Sequence, residues 1–226
     1  MAQSPLLLGH RGARASTSVP ENTLASFDLA LQHGCDGFEF DVRLSGCGSP
    51  VICHDAELDG VKISEGECDQ IESLPHLSDI LASYASRAFL DIELKVGGLE
   101  SQVIIGLLEH IPQRGYFVSS FFPEVLTELR LRSADILLGF ICDRRKLLDQ
   151  WRGLPVQYVV PEHSLVTADL VKEVHQAGKL LFTWTVNDAA AMQRLAGWGV
   201  DGIISDDTEL LVRTLRKPGT QGKATQ

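Results

Sequence analysis

The sequence has few of the features that mark a nucleic-acid-binding or membrane protein. Acidic residues outnumber basic ones 30 to 20, which gives a formal net charge of −10. Nucleic acids and anionic membrane surfaces are bound by basic faces, so this balance argues against both as main partners. No apolar run approaches the roughly 18 residues of a membrane span. The run Leu6 to Leu8 is too short for the core of a signal peptide.

Cysteine is scarce and shows no metal-binding or redox spacing. The chain has five cysteines, at positions 35, 47, 53, 68 and 142, and no two of them form a CxxC pair. An odd number without such spacing is typical of reduced thiols in a cytosolic protein. We therefore expect free cysteines and a cytoplasmic location.

Short apolar runs alternate with amphipathic helical stretches along the whole chain, with no linker between them. Roughly eight strand–helix units favour a single (β/α)8 barrel, or TIM barrel, over an open doubly wound sheet. We expect the barrel to occupy residues 1–215, with a short capping insertion after the second strand region. The polar residues 216–226 predict a disordered tail.

Two segments indicate that one helix–strand unit is used repeatedly. GCDGFEFD (34–41) is echoed by GVDGIISD (199–206), and both begin where a predicted helix runs into a glycine. A glycine at this point is the usual left-handed helix terminator. Gly115 and Gly178 occupy the same position in two further units.

Carboxylates cluster on two predicted interior strands. Glu39 and Asp41 are two residues apart, so both side chains point to one face of their strand. Asp91, Glu93 and Lys95 share a face in the same way. Catalytic groups of such barrels come from the carboxyl ends of strands, so we expect these side chains to meet at one rim.

An oxygen cluster of Glu39, Asp41 and Glu93 suits a hard divalent ion such as Mg²⁺ or Ca²⁺ better than zinc. The competing interpretation is a buried ion-pair network in which Lys95 and Arg11 neutralise the acids. The two are compatible, because a phosphate-ester site uses both a metal and cationic side chains.

Two of the seven histidines, His10 and His54, each close a predicted strand at the rim that carries the carboxylates. Beside a metal-bound ester, such a pair could act as base and acid. His163 lies at a barrel end without a supporting pattern. Three more sit in the final turns of predicted helices, where they complement the helix dipole: His33, His110 and His175.

These residues fall into motifs that resemble the glycerophosphodiester phosphodiesterase family. The motifs run in family order from residue 9 to about 210: HRG (10–12), PENT (20–23), E-x-D-V (39–42), HD (54–55), E-x-K (93–95), WTVN (184–187) and GVDGIISD (199–206). Two departures are SGCG (45–48), where the family commonly has Thr-x-Asp-Gly, and Ser205-Asp206-Asp207-Thr208, where Thr-Asp-x-Pro is typical.

The resemblance implies a (β/α)8 barrel that hydrolyses small glycerophosphodiesters to glycerol 3-phosphate and an alcohol, in lipid and glycerol metabolism. It also implies one divalent cation, Mg²⁺ or Ca²⁺. By motif position, the roles it implies are an acid–base pair of His10 and His54, metal ligands Glu39, Asp41 and Glu93, phosphate contacts Arg11 and Lys95, and Trp184 as a wall of the pocket. Asn22 and Asp55 would hold loops and histidines in place.

Three other functions stay open at this point. The same barrel could act on lysophospholipids as a phospholipase D-type enzyme or lyase, or it could bind without catalysis. A Schiff-base aldolase using Lys95 fits poorly, because a lysine beside Asp91 and Glu93 should stay charged. For the hydrolase, the acidic segment after His54 predicts a preference for cationic or neutral alcohols.

Overall fold

A computed structural model describes residues 4–66 and 73–216. Its strands are β1 (Leu6–Gly9), β2 (Gly37–Leu44), β3 (Pro50–Ile52), β4 (Glu57–Leu58), β5 (Val61–Lys62), β6 (Phe89–Leu94), β7 (Tyr116–Ser120), β8 (Leu138–Cys142), β9 (Tyr158–Pro161), β10 (Leu180–Thr183) and β11 (Gly202–Ser205). Its α-helices are α1 (Leu24–Gln32), α2 (Leu77–Tyr84), α3 (Glu100–Glu109), α4 (Pro123–Arg132), α5 (Ala168–Gln176), α6 (Ala189–Trp198) and α7 (Thr208–Leu215).

Eight of the described strands close into a parallel barrel, in the order β1, β2, β6, β7, β8, β9, β10 and β11. Strand β1 pairs with both β11 and β2, and these two pairings complete the ring. The predicted (β/α)8 barrel is therefore confirmed. Between β8 and β9, a 3₁₀ helix covers Arg145–Gly153. Its buried Leu148 and Trp151 are three residues apart, so at three residues per turn they fall on one side.

The lower half of the barrel interior is filled by aromatic rings, which we call the aromatic floor: Phe89, Phe117, Tyr158 and Phe182. Two glycines allow close approach to residues of this floor, one to a ring and one to a backbone carbonyl. A Cβ on Gly202 would lie 2.1 Å from the ring of Phe182, and one on Gly37 would lie 1.8 Å from the carbonyl oxygen of Phe89. Both glycines belong to the echoed segments, so the repeat has a packing reason.

The two echoed segments also make equivalent hydrogen bonds. Asp36 Oδ2 accepts from the backbone N–H of Leu7 at 2.8 Å, and Asp201 Oδ2 accepts from that of Leu181 at 2.7 Å. In each case the aspartate before a strand holds the strand next to it in the barrel. The repeated helix–strand unit predicted from the sequence is thus visible in the structure.

The capping segment follows β2 as an antiparallel excursion. Strand β3 pairs with β2 in reverse direction, Val42 opposite Ile52, and β4 and β5 form a small hairpin beyond it. The SGCG turn between β2 and β3 contains Cys47, which is disulfide-bonded. The expectation of free cysteines is therefore wrong for Cys47, whereas Cys35, Cys53 and Cys142 are free thiols.

Parts of the predicted cap and tail, residues 67–72 and 217–226, lie outside the described residues. At the predicted boundary, Arg216 still forms an ion pair with Asp36 of the barrel. Among the described residues, no helix is both long enough and apolar enough to span a bilayer.

Candidate active site

A cavity of about 110 Å³ opens at the carboxyl end of the barrel strands. Of the eight residues predicted for the site, all but one line it: His10, Arg11, Glu39, His54, Glu93, Lys95 and Trp184. The remaining residue, Asp41, is fully buried beside them. The rest of the wall is mostly apolar and comes from Asp91, Phe121, Ile141, Val160 and Ile204.

Neighbouring strands bring the three predicted metal ligands together. In the β2–β6 pairing, Asp41 lies opposite Glu93, and Glu39 precedes Asp41 on the same face. One carboxylate oxygen of each residue lies within 4.8 Å of the others. Each residue also has a buried oxygen without a hydrogen bond, and Glu39 Oε1 has no ion-pair partner either among the described residues.

The electrostatics of this acidic cluster show too little positive charge. Burial, together with Asp41 and Glu93, raises the pKa of Glu39 well above its usual value. Burial and Asp41 also raise the pKa of Glu93, to about 7. The donors are all oxygens, which are the ligands that Mg²⁺ and Ca²⁺ prefer. The residues present therefore fit a divalent cation.

Lys95 and Arg11 supply part of the compensation. Lys95 Nζ lies 2.6 Å from Glu93 Oε1 and 3.3 Å from Asp41 Oδ1, and Arg11 Nε lies 3.1 Å from Asp41 Oδ2. Burial alone would raise the pKa of Asp41, but Lys95 and Arg11 hold it below its ordinary value. The ion-pair network and the oxygen cluster considered from the sequence thus coexist. The same contacts raise the pKa of Lys95 against the effect of burial, which argues against a Schiff-base lysine.

Residues of the PENT motif hydrogen-bond to the charged side chains of the site. Glu21 accepts a hydrogen bond from Arg11 Nη1 at 2.7 Å, and Asn22 Nδ2 donates to Asp41 Oδ2 at 2.8 Å. Arg11 has a left-handed backbone, with φ of 51°, and its N–H donates to Glu39 Oε2 at 2.9 Å. Strained backbone of this kind is concentrated at functional sites.

His10 is oriented by a residue that the sequence did not single out. Its Nδ1 donates to Asp206 Oδ1 at 2.7 Å, which leaves Nε2 facing Glu39, 3.8 Å from Oε2. Burial alone would raise the pKa of Asp206, but this hydrogen bond lowers it to about 2. Asn187 Nδ2 holds the other Asp206 oxygen at 2.7 Å. Their places at the ends of the WTVN and GVDGIISD motifs were the available signal.

His54 reaches the site from outside the barrel ring. It follows β3, which pairs with β2 in the antiparallel direction, and it lines the same cavity as His10 and the carboxylates, at the rim where the sequence placed it. The Cys53 N–H donates to the Asp41 carbonyl at 3.1 Å and brings His54 level with that residue. Asp55 Oδ1 accepts from His54 Nδ1 at 2.7 Å. Burial lowers the pKa of His54 despite this contact.

The other predicted histidines lie away from the cavity. His163 Nδ1 pairs with Glu162 at 2.7 Å and does not line the cavity. His33 contacts Thr208 and His175 contacts Asp201, both at 2.7 Å. His110 ends α3.

Trp184 forms the apolar side of the mouth. Its ring meets Phe121 edge to face, with centroids 5.5 Å apart, and its Nε1 donates to the Val160 carbonyl at 3.0 Å. The indole is therefore fixed in place. The cavity has a charged half and an aromatic half.

A (β/α)8 barrel whose carboxyl rim carries a cavity lined by two histidines and a cluster of carboxylates has the architecture of a TIM-barrel enzyme. Residues 10–75 and 91–210 match the glycerophosphoryl diester phosphodiesterase family, and the chain belongs to that family. The protein is thus a phosphodiesterase-family enzyme, as its motifs indicated.

Several relatives match over nearly their whole length. A glycerophosphodiester phosphodiesterase of Caldanaerobacter subterraneus is 30% identical over 243 residues, with 95% of this chain and 99% of the relative covered. A phosphodiesterase of Oleispira antarctica, solved in complex with the product sn-glycerol-3-phosphate, is 26% identical with a TM-score of 0.82, covering 95% and 98% of the two chains. A Silicibacter pomeroyi structure shares the fold, with a TM-score of 0.86 at 24% identity and coverage of 95% and 94%.

Proposed function

We propose that this enzyme hydrolyses glycerophosphodiesters to glycerol 3-phosphate and an alcohol, using a divalent cation and the two histidines His10 and His54. The observation that carries the proposal is the convergence of both imidazoles and the acidic cluster on one cavity. The Oleispira relative, which was solved with the same product, supports the substrate class.

Glu39, Asp41 and Glu93 would hold the cation, Mg²⁺ or Ca²⁺. When bound, it would offset negative charge on the phosphoryl oxygens. Without it, the cluster keeps a buried Glu39 oxygen that has no partner among the described residues, which is unfavourable in a dry site.

The histidines carry the protons. One imidazole takes a proton from the nucleophile, and the other gives a proton to the departing alkoxide. Asp206 fixes the Nδ1–H tautomer of His10, so that Nε2 is the reactive nitrogen. Asp55 does the same for His54. Each histidine therefore enters the reaction already oriented.

Arg11 and Lys95 supply fixed positive charge at the same rim, and Trp184 with Phe121 provides a wall for the carbon skeleton of the substrate. Preorganised charges in a water-poor cavity stabilise the developing charge of a phosphoryl transition state. A role in lipid and glycerol metabolism follows from the product. The cytoplasmic location stays a prediction, which the Cys47 disulfide no longer favours.

The test measures the turnover of glycerophosphocholine through the release of both choline and glycerol 3-phosphate. His10→Gln and His54→Gln should each lower kcat by at least about 10²-fold, because proton transfer acts in the transition state. Chelation should abolish turnover, and Mg²⁺ or Ca²⁺ should restore it. His110→Gln, at the end of α3, is the matched control and should leave kcat unchanged.

Full activity after thorough removal of metal would exclude the cation, and near-normal kcat in both histidine variants would exclude the acid–base pair. Lysophosphatidylcholine serves as the comparison substrate. If it is turned over ahead of glycerophosphocholine, the phospholipase D-type alternative is the better description.

A further inference from the structure

Arg43 extends the line of functional residues on β2. It follows Glu39 and Asp41 on the same face of the strand, one step nearer the rim. Alternate residues of a strand lie about 7 Å apart, so the backbone of Arg43 lies about 7 Å beyond that of Asp41 in the acidic cluster. Its Nε donates to the carbonyl oxygen of His54 at 2.8 Å, which fixes the plane of the guanidinium.

The charge of Arg43 is not neutralised by an ion pair. Within residues 4–66 and 73–216, no carboxylate oxygen lies within 4.0 Å of its guanidinium nitrogens. Arg11 and Arg14, in contrast, both pair with Glu21. Asp55 is near enough for its pKa to be lowered slightly by Arg43, but its carboxylate hydrogen-bonds to His54.

Arg43 also lines a second cavity, of about 350 Å³, between the cap and the loop after β6. Its wall consists of Arg43, Leu44, Ser45, Ala56, Ile63, Ser64, Val96 and Gly97. Lys95, next to Val96 of this wall, and His54, two residues before Ala56, line the first cavity. The two cavities therefore lie side by side at the rim.

Building on the proposed function, we propose that the second cavity receives the alcohol of the substrate and that Arg43 recognises a negatively charged group on it. An arginine fork binds a carboxylate through two parallel hydrogen bonds. In glycerophosphoserine, the carboxyl carbon is only three bonds from the ester oxygen of the serine. With the phosphate at the acidic cluster, this carboxylate would lie close enough to reach Arg43, which is two residues beyond Asp41 on β2. The enzyme then acts best on glycerophosphodiesters with an anionic alcohol.

This inference opposes the preference predicted from the acidic cap. Of the acidic cap residues that the structure describes, Glu57 and Asp59 line neither cavity, and Glu65 pairs with Lys62 at 2.9 Å. The net charge of a segment does not determine which charge faces the substrate. Among the residues that the structure describes, the charged side chain in the wall of the second cavity is Arg43.

The experiment compares kcat/KM for glycerophosphoserine and glycerophosphoethanolamine, which differ only in the carboxylate. The unmodified enzyme should have the higher kcat/KM for the serine diester, and added salt should reduce the serine-to-ethanolamine ratio of kcat/KM. Arg43→Gln should lower the serine-to-ethanolamine ratio about tenfold. Arg43→Lys, which keeps the charge but loses the fork, should retain only part of the ratio. Arg213→Gln, on the exposed side of α7, is the matched control and should leave the ratio unchanged.

A lead for the ethanolamine diester in the unmodified enzyme would overturn the inference, and this measurement requires no variant to fold. An equal loss for both substrates in Arg43→Gln would also overturn it, since Arg43 would then only position His54. Failure to hydrolyse either diester, with Mg²⁺ or Ca²⁺ present, would instead overturn the proposed function and this inference with it.

Discussion

Glu93 couples the stability of the metal-free protein to pH through a single side chain. It is buried between Asp41 on the neighbouring strand and Lys95 on its own. Burial and Asp41 raise its pKa to about 7, against an unfolded value of about 4.3. Because the folded state holds this proton more tightly, the associated stability is present at low pH and lost as pH rises through 7.

We therefore predict that Glu93 lowers the free energy of unfolding of the metal-free protein by on the order of 3 kcal/mol between about pH 4 and pH 8. Urea unfolding across this range, with and without Glu93→Gln, measures the contribution as the difference between the two curves. His54 acts in the opposite direction, since its lowered pKa makes its stability appear as pH rises through about 6.5.

Glu109→Gln, on the exposed face of α3, controls for loss of a carboxylate as such. Parallel curves for the Glu93→Gln and unmodified proteins would contradict the assignment of a raised pKa to Glu93. Addition of a divalent cation should flatten the dependence on pH, because the bound ion compensates the ionised form.

Strand parity predicted the acidic cluster but not its supports. Glu39, Asp41 and Glu93 could be placed on shared faces because side chains alternate along a strand. The Asp206–His10 hydrogen bond joins residues 196 positions apart, and alternation within one strand carries no information about such a pair. Arg43 was overlooked for a related reason, since its free donors are evident only from the surrounding walls.

At the scale of elements, the direction of β3 follows from the turn before it and not from its own residues. Three apolar residues, Pro50–Ile52, give no sign of whether a neighbour runs parallel or antiparallel. The short glycine-containing turn before them allows only an antiparallel return, because a parallel crossover needs a dozen or more residues. His54 therefore depends on a hairpin outside the barrel ring.

We predict that the Cys47 disulfide holds this hairpin in place. Its loss through Cys47→Ser should raise amide hydrogen exchange at Ile52 and Cys53, whose N–H groups bond to Pro75 and Asp41, and should lower kcat through His54. Amides of β7 and β8, on the other side of the barrel, should keep their protection. Exchange followed by mass spectrometry or NMR gives both readouts.

Reducing agent provides the control for that variant. It should reproduce the exchange pattern in the unmodified protein and have no further effect on Cys47→Ser, because the remaining described cysteines are already free thiols. Uniform loss of protection around the ring would show that the disulfide stabilises the barrel as a whole instead.

At the scale of the molecule, the period of the apolar pattern was enough to predict the barrel, whereas its internal packing was not predictable. The alternation of strands and helices defines the class of fold. The fit of Gly202 against the ring of Phe182 depends on side chains from two strands meeting inside the ring. Only the closed structure specifies that contact.

Gly202→Ala should accordingly destabilise the protein by about 1–3 kcal/mol through overpacking of the aromatic floor. Phe182→Leu should destabilise it as well, by leaving a void. The double variant should lose less free energy of unfolding than the two single variants lose together, because the smaller leucine side chain makes room for the new methyl group. Urea denaturation of the four proteins closes the cycle.

Gly197→Ala is the matched control, since this glycine lies within α6 and a Cβ there would meet no atom within 4 Å. Helix propensity makes that change neutral or mildly stabilising. Strict additivity at Gly202 and Phe182 would mean that the two residues do not share their space.

The pairing of the first strand with the last has a consequence during synthesis on the ribosome. His10 emerges early, but Asp206 is made 196 residues later, on the order of 10–40 s at ordinary elongation rates. Until then β1 has an unpaired edge, the ring is open, and His10, one of the two proposed proton carriers, has no fixed orientation. The nascent chain should therefore be catalytically silent and should depend on chaperone protection of that edge. Activity should begin only after the last strand has left the exit tunnel.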